Sequence, residues 1–353
     1  MRDAVDAPRV MLVGLVLAVA AAFVVGGTVT GVAFDPFNPD WDGTSDLRSA
    51  AEAAGADPVV VGDASRYDEY GDGDVAVVVA PTDGYADADA ARVRAFVERG
   101  GTLVVADRDG PHGHALLEAV GATARPDGAI LRDDRHHHGS PALPVATEVG
   151  SHPLVADTGV ESVTLNYGTA VEPNGATVLV ASSPYAYLDR DGSGTISEDE
   201  VADSYPVATV EEVGDGHVVV IGDPSVFINA MQADPDNRPF VAALLGDADH
   251  ALVDVSHGSA PPPLVAALLT IRGSALLQAG LGVGALVVVA ATGRSLERRR
   301  ASGMGVESGE GEDVDGDADT TVLDRLTTSV DEIFRERLTE GVISVRYKRG
   351  DDE

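Results

Sequence analysis

Ala91–Asp107 reads ARVRAFVERGGTLVVAD, a helix followed by a buried strand. Within Asp87–Arg99, Val93, Phe96 and Val97 recur at helical spacing, and the Gly100–Gly101 pair supplies a stop. Thr102–Ala106 (TLVVA) is then almost wholly apolar, as a strand covered on both faces of a parallel sheet requires. Upstream, Val75–Ala80 (VAVVVA) and Pro58–Gly62 (PVVVG) have the same character. Leu47–Ala54 is a short helix that Ser45 or Asp46 could cap. Downstream, His114–Val120 is another short helix, ending at Gly121. Strands alternating with helices predict an α/β fold with a doubly wound, mostly parallel sheet.

The rhythm loosens through Ala122–Pro173, which is rich in Asp, His, Gly and Pro. It returns with strands at Thr177–Ser182, Tyr205–Val210 and His217–Ile221, the last two joined by a hairpin turn at Gly214-Asp215-Gly216. Helices over Ser225–Met231 and Pro239–Leu245 close the unit. Residues 35–260 are thus expected to form one large folded domain.

Two apolar runs flank it. Residues 10–32 contain no charge over 23 positions, and residues 273–293 none over 21. At 1.5 Å per residue each helix would span the ~30 Å hydrocarbon core of a bilayer. A cleaved leader is the alternative for the first run, given Ala20–Ala22, but the run is longer than the ~7–15 apolar residues a leader needs. Arg2 and Arg9 precede the first run, and Arg294, Arg298, Arg299 and Arg300 follow the second. Positive residues stay on the cytoplasmic side, so both termini are expected inside and residues 35–260 outside. Arg272, on the outer flank, points the other way. Gly27–Gly31 and Gly280–Gly284 have the small-xxx-small spacing that permits close pairing of spans, or of two copies of the chain. Beyond the spans, residues 1–9 form a short cytoplasmic N-terminus and residues 294–319 a Gly/Ser/acidic disordered linker. In residues 320–340, Val322, Leu323, Leu326, Val330, Ile333, Phe334 and Leu338 recur every three or four positions. They predict a cytoplasmic amphipathic helix suited to docking on a protein partner.

The 353 residues carry 58 acidic against 24 basic side chains, a net charge of −34, with one lysine, Lys348. Such a surface repels nucleic acid and anionic lipid headgroups, and it matches a proteome adapted to high salt. Cysteine is absent, which excludes disulfides, thiolate metal sites and a cysteine nucleophile.

The strongest chemical motif is Asp189–Glu200, DRDGSGTISEDE. Calcium is a hard cation that takes several oxygen ligands, and this loop fits the EF-hand spacing. Asp189, Asp191 and Ser193 offer side-chain oxygens, Gly194 the sharp turn, Thr195 a carbonyl, and Ser197 a water-mediated contact. Glu200 could close the shell with both oxygens. Ile196 resembles the apolar anchor of such loops. Pro184, Tyr185 and Tyr187 precede the loop, so no long helix enters it. It is therefore expected to bind Ca2+ weakly, as extracellular modules do, and to act as a structural staple.

Weaker candidates follow. His136–His138, with His112 and His114, could ligate a transition metal but sit in a polar loop. Gly222-Asp223-Pro224-Ser225 follows a strand and opens a helix, where Asp223 or Ser225 reads first as a cap. Asp107 lies at a strand end, where clefts of α/β sheets open. Asp107, Asp223 and Ser225 together mark a candidate ligand cleft. No GxSxG elbow is present.

Ala91–Asp107 and Asp215–Leu245, especially GHVVVIGDPSVFINA with Asp236-Asn237, resemble an uncharacterised family of membrane-anchored proteins common in halophilic archaea. Its external domain is similar to the class I glutamine-amidotransferase-like (flavodoxin-like) fold, and similar stretches occur in auxiliary proteins of gliding-type ABC transporters. The resemblance covers roughly residues 40–250 and the spans. Amidotransferases use a cysteine nucleophile that this chain lacks, so their chemistry does not carry over. The resemblance implies an envelope role beside MoxR-type ATPases or ABC-type subunits. The expected function is a non-enzymatic, membrane-anchored accessory or binding protein. The alternatives are an envelope hydrolase using Asp, His and Ser residues of Asp107–His138, or a transporter auxiliary subunit.

Overall fold

A computed structural model describes residues 26–246, 248–258 and 261–272, with positions 11, 14–16, 18–19, 22, 274, 277 and 280. Beside four further two-residue strands among the described residues, its strands are β1 (Asp57–Val61), β2 (Asp74–Val79), β3 (Thr102–Ala106), β4 (Ile130–Asp133), β5 (Glu148–Val149), β6 (Thr177–Ala181), β7 (Ala186–Asp189), β8 (Pro206–Val213), β9 (Gly216–Ile221) and β10 (His250–Asp254). The helices are α1 (Asp46–Ala54), α2 (Asp87–Glu98), α3 (Pro111–Val120), α4 (Asn229–Gln232), α5 (Asn237–Leu245) and α6 (Pro263–Arg272).

Eight strands form one sheet in the order β1-β10-β2-β3-β9-β8-β6-β5. The first five run parallel, and β8, β6 and β5 add antiparallel at one edge. The valine runs explain the parallel centre: alternate residues of each strand point to opposite faces, and both faces are covered. Val75, Val77, Val104, Ala106, Val219 and Ile221 pack on the side of α1 and α5. Ala76, Val78, Leu103, Val105, Val218 and Val220 pack on the side of α2 and α3. The sheet is therefore wound on both faces, as expected, although its edge is antiparallel.

The Gly100–Gly101 stop has a steric cause. Gly100 has φ 100°, and a Cβ at Gly101 would stand 2.4 Å from the Phe96 ring. Any side chain at Gly101 would therefore clash with Phe96 of the preceding helix.

Four expectations need correction. His250–Asp254, not anticipated as a strand, inserts between β1 and β2. The helix expected over Ser225–Met231 is two short pieces, a 3-10 turn at Pro224–Phe227 and α4, because Ile228 between them is extended (φ −72°, ψ 153°). Ser45 and Asp46 do not cap α1; Asn229 does, its Oδ1 accepting the Asp46 N–H at 2.9 Å. Ala122–Pro173 holds several short strands, among them β4, paired antiparallel with β7, and β5, at the edge of the main sheet. The hairpin at Gly214–Gly216 stands as expected, joining β8 and β9.

Among the described residues no helix is long and apolar enough to cross a membrane. The expected spans lie largely outside those residues: 10–32 is described only in part and 273–293 at three positions, while 1–9, 294–319 and 320–340 fall outside entirely. Where the flanking segments are described they touch. A Cβ placed on Gly27 would fall 2.5 Å from Leu264 Cδ1 in α6, so Gly27 and Leu264 are in close contact.

Candidate metal centre

Strand β7 delivers the loop. Its antiparallel partner β4 sets Leu188 opposite Leu131 and Asp189 opposite Ile130. The Asp203 N–H donates to the Ala186 carbonyl at 2.9 Å, so the segments entering and leaving the loop are tied at its base. A strand, not a helix, thus leads into Asp189, as Pro184 and the two tyrosines implied. Within the loop Gly194 has φ 77°, the left-handed turn that its position was expected to need.

Asp189, Asp191 and Glu200 converge: one carboxylate oxygen from each lies within 4.8 Å of the others. The Asp189 side chain has no solvent exposure. Its Oδ2 accepts from Arg132 Nε at 2.6 Å and from the Gly194 N–H at 3.2 Å, while its Oδ1 is buried with no partner. Asp191 is exposed, and the Ser193 N–H donating to its Oδ1 at 2.8 Å holds its carboxyl below the usual carboxylate range. Glu200 stitches the loop shut, accepting the Arg190 N–H at 2.8 Å and the Ser197 N–H at 3.0 Å. The Ser193 hydroxyl stands 2.8 Å from the Thr195 carbonyl, to which it donates. Two oxygens at that spacing can share one coordination shell of about 2.3–2.6 Å radius. The Ser197 backbone N–H donates to Glu200 Oε2. Ile196 is no anchor here, being 44% exposed.

The donor set fits a calcium ion. It consists of hard oxygens, three of them carboxylate, and the unpartnered Asp189 Oδ1 is a buried acceptor that a cation would satisfy. Bound calcium would draw on Asp189, Asp191, Glu200, Ser193 and the Thr195 carbonyl, and would join the loop's two ends through charge. Sequence reasoning missed Arg132, which supplies a fixed positive charge on the inner side. Only the β4–β7 pairing brings it there, so no local pattern announces it. Arg190 is likewise tied outward, its Nη2 2.7 Å from Asp127 Oδ2.

Asp107 and Asp223 follow the neighbouring strands β3 and β9 at their carboxyl ends. Asp223 follows β9 and is fully buried. Its Oδ1 accepts the Ser225 N–H at 2.7 Å and its Oδ2 the Asn166 N–H at 2.5 Å, and burial pushes its pKa up to about 6. The Ser225 hydroxyl reaches the Asn166 carbonyl at 3.4 Å. Asp223 is therefore the cap of the 3-10 turn and a clamp on the Asn166 loop. Asp107 ends β3 beside β9, its N–H donating to the Ile221 carbonyl at 3.1 Å; burial raises its carboxyl pKa. The histidines pair with separate acids: His114 with Asp109 at 3.7 Å, His136 with Asp133 at 3.8 Å and His138 with Asp234 at 3.4 Å. Among the described residues Asp189, Asp191 and Glu200 are the group that could hold a metal.

No curated protein matches the chain. Among solved structures, the mmIFT52 N-terminal domain aligns at 13% identity and TM-score 0.35 over 47% of this chain and 72% of its own. The exo-beta-1,4-mannosidase Op5Man5 from Opitutaceae bacterium strain TAV5 aligns at 19% identity and TM-score 0.27, over 49% of this chain and 24% of its own. Gan42B, a GH42 beta-galactosidase, aligns at 18% identity and TM-score 0.22, over 42% of this chain and 18% of its own. The aligned region is thus a quarter or less of either glycosidase. Residues 36–245 match a family described as a domain of unknown function (DUF4350), and the chain belongs to that family.

Proposed function

We propose that the chain is a non-enzymatic binding module of the cell envelope, its α/β domain stapled by Ca2+ at Asp189–Glu200. The buried, unpartnered Asp189 Oδ1 among three converging carboxylates carries this reading. Calcium acts as a staple because both ends of the loop are already tied by the Ala186–Asp203 pairing, which leaves little room for a large opening. Titration of the full chain with calcium tests it. One site with Kd on the order of 10⁻⁴–10⁻³ M is expected, lost in Asp189→Ala.

The module is membrane-anchored on this reading, with spans at 10–32 and 273–293, both termini inside and the domain outside. Exposed apolar side chains support it. Met11, Leu15, Val16, Val19, Val29 and Val32 precede the domain, Trp41 lies near its start, and Leu264, Leu268 and Leu277 follow it. Between Trp41 and Leu264, only Tyr167, Tyr185, Ile196 and Val201 are comparably exposed among the described residues. Apolar exposure gathered on two neighbouring segments marks an interaction surface, and the uncharged runs beside it favour lipid. The helix expected at 320–340 would then dock a cytoplasmic protein partner. The finer likeness of the sheet to the glutamine-amidotransferase-like fold belongs to the same proposal.

A further inference from the structure

Trp41 is the chain's single tryptophan, and it is 68% exposed. An indole left in water is costly unless something covers it, and indoles favour surfaces that are apolar on one side and wet on the other. The loop that carries it is braced. The Trp41 carbonyl accepts the Ala230 N–H at 3.1 Å, and the Gly43 carbonyl accepts the Asn229 N–H at 2.8 Å. Asn229 Nδ2 donates to the Asp40 carbonyl at 2.6 Å, and Asn38 Nδ2 to the Val32 carbonyl at 2.9 Å. The indole is therefore presented by a fixed surface, not by a free tether.

That surface lies at the carboxyl end of the parallel strands. Ala33, Phe34 and Val79 line a small cavity there together with Asp35 and Asp254, so its wall is part apolar and part acidic. Val29 and Val32 are exposed on the segment leading to it. Gly27, at the start of that segment, touches Leu264 of α6. Both segments run directly into the uncharged stretches 10–32 and 273–293, so the medium those stretches occupy adjoins this end of the sheet.

We propose that Trp41, with Val29 and Val32, is a lipid-interface anchor that seats the carboxyl end of the sheet on the outer headgroups. This inference rests on the membrane-anchored reading. Tryptophan is suited to headgroup depth, where its ring meets acyl chains and its N–H meets water. Asp40, exposed beside it, stays in water and stops the loop from sinking into the hydrocarbon. The carboxyl ends of β2 and β10 then face lipid.

The single tryptophan makes the test clean. Full-length protein is reconstituted into phosphatidylcholine vesicles, and its emission is compared in ordinary and acyl-chain-brominated lipid. Expected are a blue-shifted emission, its loss by about half in brominated lipid, stronger quenching by shallow than by deep bromines, and no tryptophan signal in Trp41→Phe. Protein that floats with the vesicles while its emission is unchanged by brominated lipid overturns the anchor and leaves the spans standing. Protein that does not float overturns the membrane reading, and the anchor with it.

Discussion

Arg132 and Asp189 form a buried ion pair, Nε to Oδ2 at 2.6 Å, in which the carboxylate has no exposure and its second oxygen has no partner. The guanidinium is the one full positive charge in that contact, and it comes from a strand 57 residues away in sequence. A metal arriving at the open oxygen would share the same carboxylate. On the proposed calcium reading, Arg132 would stabilise the loop when calcium is absent and compete mildly for Asp189 when it is present.

Arg132→Ala is expected to cost roughly 3 kcal/mol in chelator, because it leaves a buried charge uncompensated. Calcium should then recover a larger share of stability than in wild type, and bind more tightly. Thermal melts of the variant in calcium and in chelator check this. A variant whose calcium-induced shift is no larger than wild type's contradicts the competition.

Asp223 predicts a pH dependence. Its folded pKa, raised to about 6 by burial, lies above the unfolded carboxylate value near 3.9. The folded state binds the extra proton between those values, so stability from this group is present below about pH 4 and is lost as pH rises to about 6. The loss amounts to at most about 3 kcal/mol. Asp223→Asn removes that dependence, so unfolding free energies of wild type relative to this variant should fall across pH 4–6. A constant difference over that range would show that Asp223 does not titrate there.

Asn229 joins three segments. Its Oδ1 accepts the Asp46 N–H, and its Nδ2 reaches the Asn38 and Asp40 carbonyls at 3.2 and 2.6 Å. Asn229→Ala leaves these groups unpaired and should cost about 2–3 kcal/mol in urea unfolding. A change under ~0.5 kcal/mol would mean that water replaces all of them.

Gly27 and Leu264 allow a covalent check on the flanking segments. Leu264 Cβ stands 3.4 Å from the position a Gly27 Cβ would take, close to the ~3.5–4.5 Å of a disulfide. The chain has no native cysteine to interfere. Gly27→Cys with Leu264→Cys should oxidise to an intrachain bridge, seen as faster migration on non-reducing gels. Persistence of two free thiols under oxidant would contradict the contact.

The parallel core was legible because β2, β3 and β9 are long valine runs whose environment needs no cross-chain information. β10 was not: HALVD offers only three apolar residues between His250 and Asp254, and its place between β1 and β2 is a tertiary fact. Asn229 was hidden inside an expected helix because its role is to cap a helix 183 residues earlier. The convergence of Asp189, Asp191 and Glu200 could be read since their spacing is local, so a twelve-residue window contains the cluster. Arg132 and the exposure of Ile196 could not, since both depend on which surface the loop rests against.

The most direct test is the melting temperature of the full chain in detergent, in about 10–100 mM calcium (a hundredfold excess over the expected Kd) and in chelator, for wild type and for Asp189→Ala/Glu200→Ala. At a hundredfold excess over Kd, calcium should add about 2.7 kcal/mol to wild type, roughly 5–10 °C, and nothing to the variant. Wild type melting at one temperature in both solutions, or a variant that keeps the full calcium shift, would contradict a calcium staple at Asp189–Glu200.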